Sequence, residues 1–391
     1  MENKYSPPDY FLVDELLTDE HKIIRASVRD WVNRRIKPQI EKLAQNHESD
    51  NSLINEMGEQ GLLGPFIPEE YGGAGLDHIS YGLIMTELER GDSAIRSTAS
   101  VQGSLVMYPV FTFGSEKQKQ KYLPGLASGE LTGCFGLTEP NHGSDPAGMF
   151  THFEEKNDYY LLNGSKMWIT NSPIADIAVV WAKNPEGKIK GLIVEKDMDG
   201  FSAPETMGKW SLRASKTGEL VFDNVRVPKE NLLPGVTGLK GALMCLNSAR
   251  YGIAWGAIGA ATECYETARI YAQQRKQFGK SIASFQLTQK KLAEMLTDIT
   301  KAQLLAWRLG VLKNENKASH AHISMAKRNN VAMALNIARE SRQILGAMGI
   351  TDDFPIMRHM MNLESVITYE GTHDIHLLIT GNDITGIEAF H

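Results

Sequence analysis

The hydrophobic pattern of this chain changes period twice along its length, and that change restricts the possible folds more than any other feature. From about residue 18 to 134 apolar residues recur at helical spacing. Ile24, Val28, Trp31, Val32 and Ile36 form one such series, which Pro38 ends or kinks. Ser115 and Gln118 have capping-box spacing for a further helix, after a loop marked by Gly72, Gly73 and Gly75. Between about 135 and 235 the period falls to two. YYLLNGSKMWIT places Asn163 and Gly164 between two apolar runs and predicts a hairpin there, while IADIAVVWA, KGLIVE and GELVFDNVRV predict further strands. No helical segments separate these runs, so an antiparallel sheet is expected. Beyond about Gly238 the helical period returns, with Leu292, Met295, Leu296 and Ile299 in one helix and Val331, Ala334, Leu335 and Ala338 in another. The expectation is a mainly α chain with a central β domain: an N-terminal helical bundle over 1–134, a middle antiparallel β domain over 135–237 and a C-terminal four-helix bundle over 238–391.

Composition narrows the function classes. The chain has 391 residues, a net charge of −6 and its Lys and Arg scattered among Asp and Glu, so neither nucleic acid nor an anionic membrane is an expected partner. Cys134, Cys245 and Cys264 have no metal-ligand spacing and sit in apolar surroundings, as suits a reducing compartment. MENKYSPPDYFLVDEL lacks the pattern of a signal or transit peptide, and the uncharged run Gly252–Ala261 is too short to cross a bilayer. A cytoplasmic protein is expected.

Three stretches carry candidate chemistry. YEGTHDIH, residues 369–376, holds Glu370 among Ile367, Tyr369 and Ile375, where apolar surroundings raise a carboxyl's pKa and make it a usable base. The alternative is a solvated cap of the helix that follows Gly371 and Thr372. His373 and His376 lack the third ligand a metal site needs, and no metal is expected. No GxGxxG or Walker loop is present, so a bound dinucleotide would require another architecture. FGLTEPNHGSD, residues 135–145, offers Thr138, Ser144 and peptide N–H groups near Gly136 and Gly143 to a polar ring-shaped ligand, or is a plain polar turn. Trp168, Ile169 and Thr170 supply an aromatic and hydroxyl wall or belong to the core.

Taken together, FGLTEPNHGSD, QILGAMGI and YEGTHDI, in that order, resemble signatures of the acyl-CoA dehydrogenase family over nearly the whole chain. ELERGDSAIRS, SVQGSLVM, NSARYGIAWG and MNLESVITYEGTHDIH resemble its glutaryl-CoA dehydrogenases. The resemblance implies FAD, bound in extended form and contacted by Phe135, Leu137, Thr138, Gly143 and Ser144 of the first signature. Trp168, Ile169, Thr170, Thr372 and Asp374 serve the same flavin. In a homotetramer Arg275, Phe278, Gln286, Gln343, Leu345 and Gly346 would serve a neighbour's. It makes Glu370 the base that removes the substrate α-proton, while its peptide N–H and a flavin hydroxyl hold the thioester carbonyl. Arg96, with Ser97 beside it, would bind the distal carboxylate of glutaryl-CoA, and Ser144, Leu243, Asn247, Arg250, Tyr369 and Gly371 the rest of the substrate. Glu89 and Tyr369 match residues of relatives that decarboxylate the oxidised product to crotonyl-CoA. Electron-transfer flavoprotein would take the electrons, in a step of lysine and tryptophan degradation. Other readings stay open: Arg96 in a surface ion pair with Glu89 or Asp92, a short-chain acyl-CoA dehydrogenase or oxidase, oxidation without loss of CO2, or a non-catalytic scaffold. His142 departs from the pattern, standing where many relatives have a small residue, and either tunes the site or faces solvent.

Overall fold

The computed structural model describes residues 9–389; the first eight residues of the N-terminal stretch read above lie outside them. The first helix, α1 (Asp19–Trp31), starts at a capping box in which the His21 N–H donates to Thr18 Oγ1 at 3.2 Å and the Thr18 N–H to His21 Nδ1 at 3.3 Å. It runs on through a π-helical stretch, Val32–Ile36, so Pro38 ends an apolar face that buries Val28, Trp31, Val32 and Ile36. Two short helices follow, α2 (Ile40–Asn46) and α3 (Ser52–Glu59), and the glycine loop at 72–75 then leads into α4 (His78–Gly91). α5 (Ser93–Ser100) continues through a second π-helical stretch into α6 (Tyr108–Phe113). The Ser115–Gln118 capping box opens α7 (Glu116–Ser128) as the spacing predicts.

Seven strands then form one sheet: β1 (Gly133–Gly136), β2 (His152–Glu155), β3 (Tyr159–Thr170), β4 (Ile177–Lys183), β5 (Ile189–Glu195), β6 (Phe201–Ser202) and β7 (Thr217–Pro228). Two expectations are corrected. The sheet is mixed, because β1 runs parallel to β4 from Gly133↔Ile177 to Gly136↔Val180. The β2–β3 excursion returns the chain in its original direction, so the crossover is made of strands and needs no helix. Asn163–Gly164 makes no hairpin either. β3 passes straight through it, with Gly164 at φ +137, and the hairpin turns at Asn157–Asp158, where the Lys156 N–H donates to the Tyr159 carbonyl at 2.9 Å. Asn163 instead faces a bulge in β7, its Oδ1 accepting the Asn224 N–H at 2.9 Å. The local turn preference yields to the long β3–β7 ladder, which buries Tyr160 and Leu162 against Val225 and Val227.

The last part is helical: α8 (Leu239–Gln274), a small hairpin of β8 (Lys276–Gln277) and β9 (Lys280–Ser281), then α9 (Gln286–Asn314), α10 (His320–Leu345), α11 (Ile356–Val366) and α12 (His373–Thr385). α8 packs against α4, α9 and α10, so the first and last segments share one core through Ile84, Leu88, Trp255 and Ile258. No helix among the described residues is long and apolar enough to cross a membrane.

A polar node ties the three parts together. Asp92, between α4 and α5, accepts the Ala94 N–H at 2.6 Å, Asn362 Nδ2 at 2.8 Å and Arg358 Nη1, all buried. Arg358 also reaches Glu41 of α2 at 2.7 Å, while Asn362 Oδ1 accepts the Leu212 N–H from the sheet region at 2.8 Å. Arg358→Met leaves the buried Asp92 carboxylate without its cation and is expected to destabilise the fold by about 3–5 kcal/mol. Chemical denaturation checks this; a loss below about 1 kcal/mol would show that the node is dispensable.

Candidate active site

The site starts from that node. Asp92 caps α5, and one turn later Arg96 projects into the core with 0 % of its surface exposed. Its Nε donates to Glu89 Oε2 at 2.8 Å, and Ser93 Oγ donates to Glu89 Oε1 at 2.8 Å. Arg96 Nη2 donates to the Tyr369 hydroxyl, and the guanidinium lies 5.7 Å from the Tyr369 ring centre. Arg96 Nη1 is buried and has no hydrogen-bond partner among the described residues. The ion pair with Glu89 therefore exists, but in the core and not at the surface; Asp92 is committed to Arg358. Burial works against the Arg96 charge, yet Glu89, Tyr369 and Glu370 outweigh it and hold its pKa above the ordinary value. Ser97 is buried next to it. Gly256 of α8 makes room for the pair: a Cβ there would overlap Glu89 Oε2 and sit 3.3 Å from Arg96 Cδ.

Glu370 follows Tyr369 in the loop between α11 and α12, with a left-handed backbone at φ +53, a conformation that costs a non-glycine residue about 1–3 kcal/mol. Its Oε2 is buried without a hydrogen-bond partner among the described residues. Glu370 is not the cap of α12. That role belongs to Thr372, whose Oγ1 accepts the Ile375 N–H at 3.2 Å. Burial pushes the Glu370 pKa up, and Arg96, Lys327 and Arg250 only partly oppose it. The loop is held by cations. Arg250 Nε donates to the Glu370 carbonyl at 2.7 Å, and Lys327 Nζ donates to the carbonyls of Tyr369 and, at 2.7 Å, Gly371. Gly371, at φ +95, lies so close to Arg250 Nη2 and His376 Nε2 that a side chain there would crowd both. Leu243, Asn247 and Arg250 share one face of α8, with Asn247 Oδ1 accepting Arg250 Nη1 at 3.3 Å.

Lys327 escaped the sequence reading although a signal was present. It lies 4, 7, 8 and 11 residues before Val331, Ala334, Leu335 and Ala338 of the same helix, so its side chain belongs to the buried stripe of α10. A lysine in such a stripe needs a polar partner.

A second cluster forms at the end of β3. The Met167 N–H donates to the Thr138 carbonyl at 2.8 Å, which brings the LTEP segment beside Trp168. Between Lys166 and Ile169 the β3–β7 register slips by one residue; Trp168 takes φ +62 and stands 57 % exposed. Ile169 is buried, and Thr170 half-buried. Lys166 and Glu139, both buried, pair at 2.8 Å, and Glu139 also accepts the N–H groups of Phe150 and Thr151, which closes the 139–151 loop. His142 packs inside that loop against Phe150, ring centres 4.7 Å apart, and so does not simply face solvent. Gly143 and Ser144 are exposed on it, whereas the side chains of Phe135 and Leu137 point into the core and leave only their backbone for a ligand.

The remaining predicted contacts lie elsewhere. Arg275, Phe278, Gln286, Gln343 and Gly346 are exposed, Leu345 is buried, and Lys291 of α9 reaches Gln343 of α10, so these residues gather at one end of the bundle. Asp374 is exposed in the first turn of α12. No hydrogen bond or ion pair joins either group to the Arg96–Glu370 cluster among the described residues. Nor do those residues contain three His, Cys, Asp or Glu side chains placed to hold a metal ion. His376 is buried, and burial, then Lys327 and Arg250, hold its pKa down at about 3.

Family models cover the chain in three consecutive parts: acyl-CoA dehydrogenase N-terminal domain over residues 18–130, middle domain over 134–225 and C-terminal domain over 237–385. The chain belongs to the acyl-CoA dehydrogenase family. An acyl-CoA dehydrogenase of Bacillus subtilis is 40 % identical over 95 % of this chain and 99 % of its own length. Among solved structures, a glutaryl-CoA dehydrogenase from Mycobacterium smegmatis is 51 % identical with a TM-score of 0.95, covering 97 % of both chains. A glutaryl-CoA dehydrogenase from the same organism, in complex with FADH2, is 47 % identical with a TM-score of 0.97 and covers 99 % of this chain and 100 % of its own.

The close seating of Gly256 against the Glu89–Arg96 pair is testable. Gly256→Ala is expected to displace Glu89 from Arg96 and to destabilise the protein by roughly 1–3 kcal/mol. Chemical denaturation measures it, and an unchanged midpoint would mean that α8 can shift to admit a methyl group.

Proposed function

We propose that this acyl-CoA dehydrogenase oxidises glutaryl-CoA with FAD and then decarboxylates the product to crotonyl-CoA. The observation that carries the reading is Arg96: fully buried, ion-paired to Glu89, bonded to the hydroxyl of Tyr369 next to Glu370 in sequence, and still with one guanidinium nitrogen unpaired among the described residues. A buried donor without a partner is costly, and a substrate carboxylate supplies what Nη1 lacks. The glutaryl-CoA dehydrogenase structures that resemble the chain support the same substrate.

The residues at the end of β3 fit a flavin. An exposed indole lifted out of the sheet by a bulge, with Thr138 and Thr170 beside it, suits a flat aromatic ring with polar edges. Bound there, FAD supplies the acceptor for the substrate β-hydride. Ser144, Thr372 and Asp374 serve that site. Arg275, Phe278, Gln286, Gln343, Leu345 and Gly346 serve a neighbouring subunit's site in a homotetramer, with electron-transfer flavoprotein as the oxidant.

Arg96 and Ser97 hold the distal carboxylate, and the Glu370 N–H donates to the thioester oxygen where charge develops. Glu370 takes the α-proton as the β-hydrogen leaves with its electron pair. In the oxidised product the carboxylate sits on the saturated carbon beside the new double bond, and that double bond is conjugated to the thioester. Its C–C bond breaks to release CO2, the pair delocalises as a dienolate, and protonated Glu370 returns its proton to the terminal carbon. Glu89 holds Arg96, and Tyr369 touches it, where the carboxylate leaves.

Anaerobic turnover of glutaryl-CoA labelled at the free carboxyl, with butyryl-CoA beside it, tests this. Labelled CO2 and crotonyl-CoA are expected, with butyryl-CoA slower on the order of 10⁴-fold because it leaves Arg96 unpaired. Faster butyryl-CoA turnover would sink the substrate assignment. Glu89→Val is expected to keep oxidation and lose CO2; undiminished CO2 would remove Glu89 from that step. Since Glu370 acts ionised and burial raises its pKa, the reductive half-reaction is expected to speed up with pH, through a midpoint above the ordinary carboxylate range. A pH-independent rate would remove Glu370 as the base.

A further inference from the structure

We propose that Lys327 is the positioning residue of the base: together with Arg250 it clamps three consecutive carbonyls, those of Tyr369, Glu370 and Gly371, and so holds Glu370 in its left-handed conformation with a cationic face toward its carboxyl. The inference rests on the reading of Glu370 as base.

The geometry is specific. Lys327 Nζ bridges the carbonyls on either side of Glu370, skipping the one between, and Arg250 Nε takes that one from α8. An amino group offers two or more N–H donors from one atom, so a single lysine can join two carbonyls that an apolar side chain of the same length cannot. Lys327 is 1 % exposed and forms no ion pair among the described residues; its Nζ lies 5.8 Å from the Tyr369 ring centre. Packing alone would favour Met or Leu on this stripe of α10, where Val331, Ala334 and Ala338 are buried. The charge is kept where it does one thing: it faces the backbone that shapes Glu370.

The electrostatic surroundings give the sign. Arg96 from α5, Arg250 from α8 and Lys327 from α10 are the cations around the Glu370 carboxyl; Glu89 from α4 is committed to Arg96, and Tyr369 and buried His376 are neutral near pH 7. Each cation favours the ionised carboxylate against burial. Removing the Lys327 charge therefore raises the pH that the base requires. Burial brings Lys327 itself down to about 7, while Glu370 holds it up. A neutral amine keeps two N–H donors, so the clamp survives deprotonation even as its charge is lost.

The test uses FAD-loaded protein carrying Lys327→Met, Lys327→Arg or Glu370→Gln. FAD content and thermal midpoint report folding; anaerobic flavin reduction by the acyl-CoA that the wild type oxidises fastest is followed against pH, with acyl-CoA affinity measured separately. Lys327→Met is expected to bind acyl-CoA within about threefold of wild type but to reduce flavin about 100-fold more slowly, as a base displaced by about an ångström would. Its pH midpoint should rise, and Lys327→Arg should recover at least about tenfold of the rate. A Met variant with wild-type rate and pH profile overturns the proposal, and so does an Arg variant no better than Met. If the Met variant does not retain FAD, Lys327→Gln replaces it: the lost charge should still raise the pH midpoint, and a wild-type pH profile overturns the proposal. A Glu370→Gln protein that still reduces flavin sinks the base assignment; an inert one beside an unaffected Lys327→Met sinks this inference alone.

Discussion

The buried carboxylate of Asp92 is the interaction on which the site depends. It stands where α4 ends and α5 begins, and its oxygens cap α5 and receive Arg358 and Asn362 from α11. α5 carries Arg96 a turn later, and α11 runs into Tyr369 and Glu370. The chain of contacts from Glu89 through Arg96 to Tyr369 closes only while those helices keep their places. An uncompensated carboxylate in that position would cost several kcal/mol, so the node is either complete or strongly destabilising. Leu212, bonded to Asn362, extends it to the sheet region, and one polar centre thus sets the relation of all three family domains.

Around Glu370 two opposing effects are balanced. Burial raises the carboxyl's pKa, and three cations, each from a different helix, pull it back. Arginine and lysine are divided by geometry: Arg96 offers a planar fork that can pair Glu89, Tyr369 and a further acceptor together, whereas the Lys327 ammonium gathers two carbonyls at one point. At the end of β3 a bulge performs the comparable task for an aromatic ring, turning Trp168 outward from a strand whose next residue, Ile169, is in the core.

The succession of helical, extended and helical segments was legible because periodicity records burial one face at a time. The first helix, the Ser115 capping box and the stripes of α9 and α10 follow directly from residue spacing. Asn163–Gly164 misled because turn preference is local and modest, while the pairing of β3 with β7 spans twelve residues and buries a whole face. The parallel β1–β4 pair was hidden for a related reason: strand direction depends on how an intervening segment folds back, and here that segment was itself made of strands. The octet alone leaves Glu370 open between base and helix cap, because its left-handed backbone and the burial of its carboxyl are set by the packing around it. Lys327 was overlooked, although a lysine on an apolar stripe is a visible anomaly.

By itself the sequence determined which residues could be buried, which helices could start where they do, and, through its ordered signatures, the family. Those properties depend on neighbours along the chain, where spacing and side-chain chemistry suffice. Tertiary structure alone decided that Arg96 pairs with Glu89 in the core and keeps one nitrogen without a partner among the described residues, that Asp92 goes to Arg358, and that Lys327 and Arg250 meet at the loop of Glu370. These partners are brought together by packing of α4, α5, α8, α10 and α11, and a charge acquires its role only when distance and burial fix which opposite or polar group it can reach.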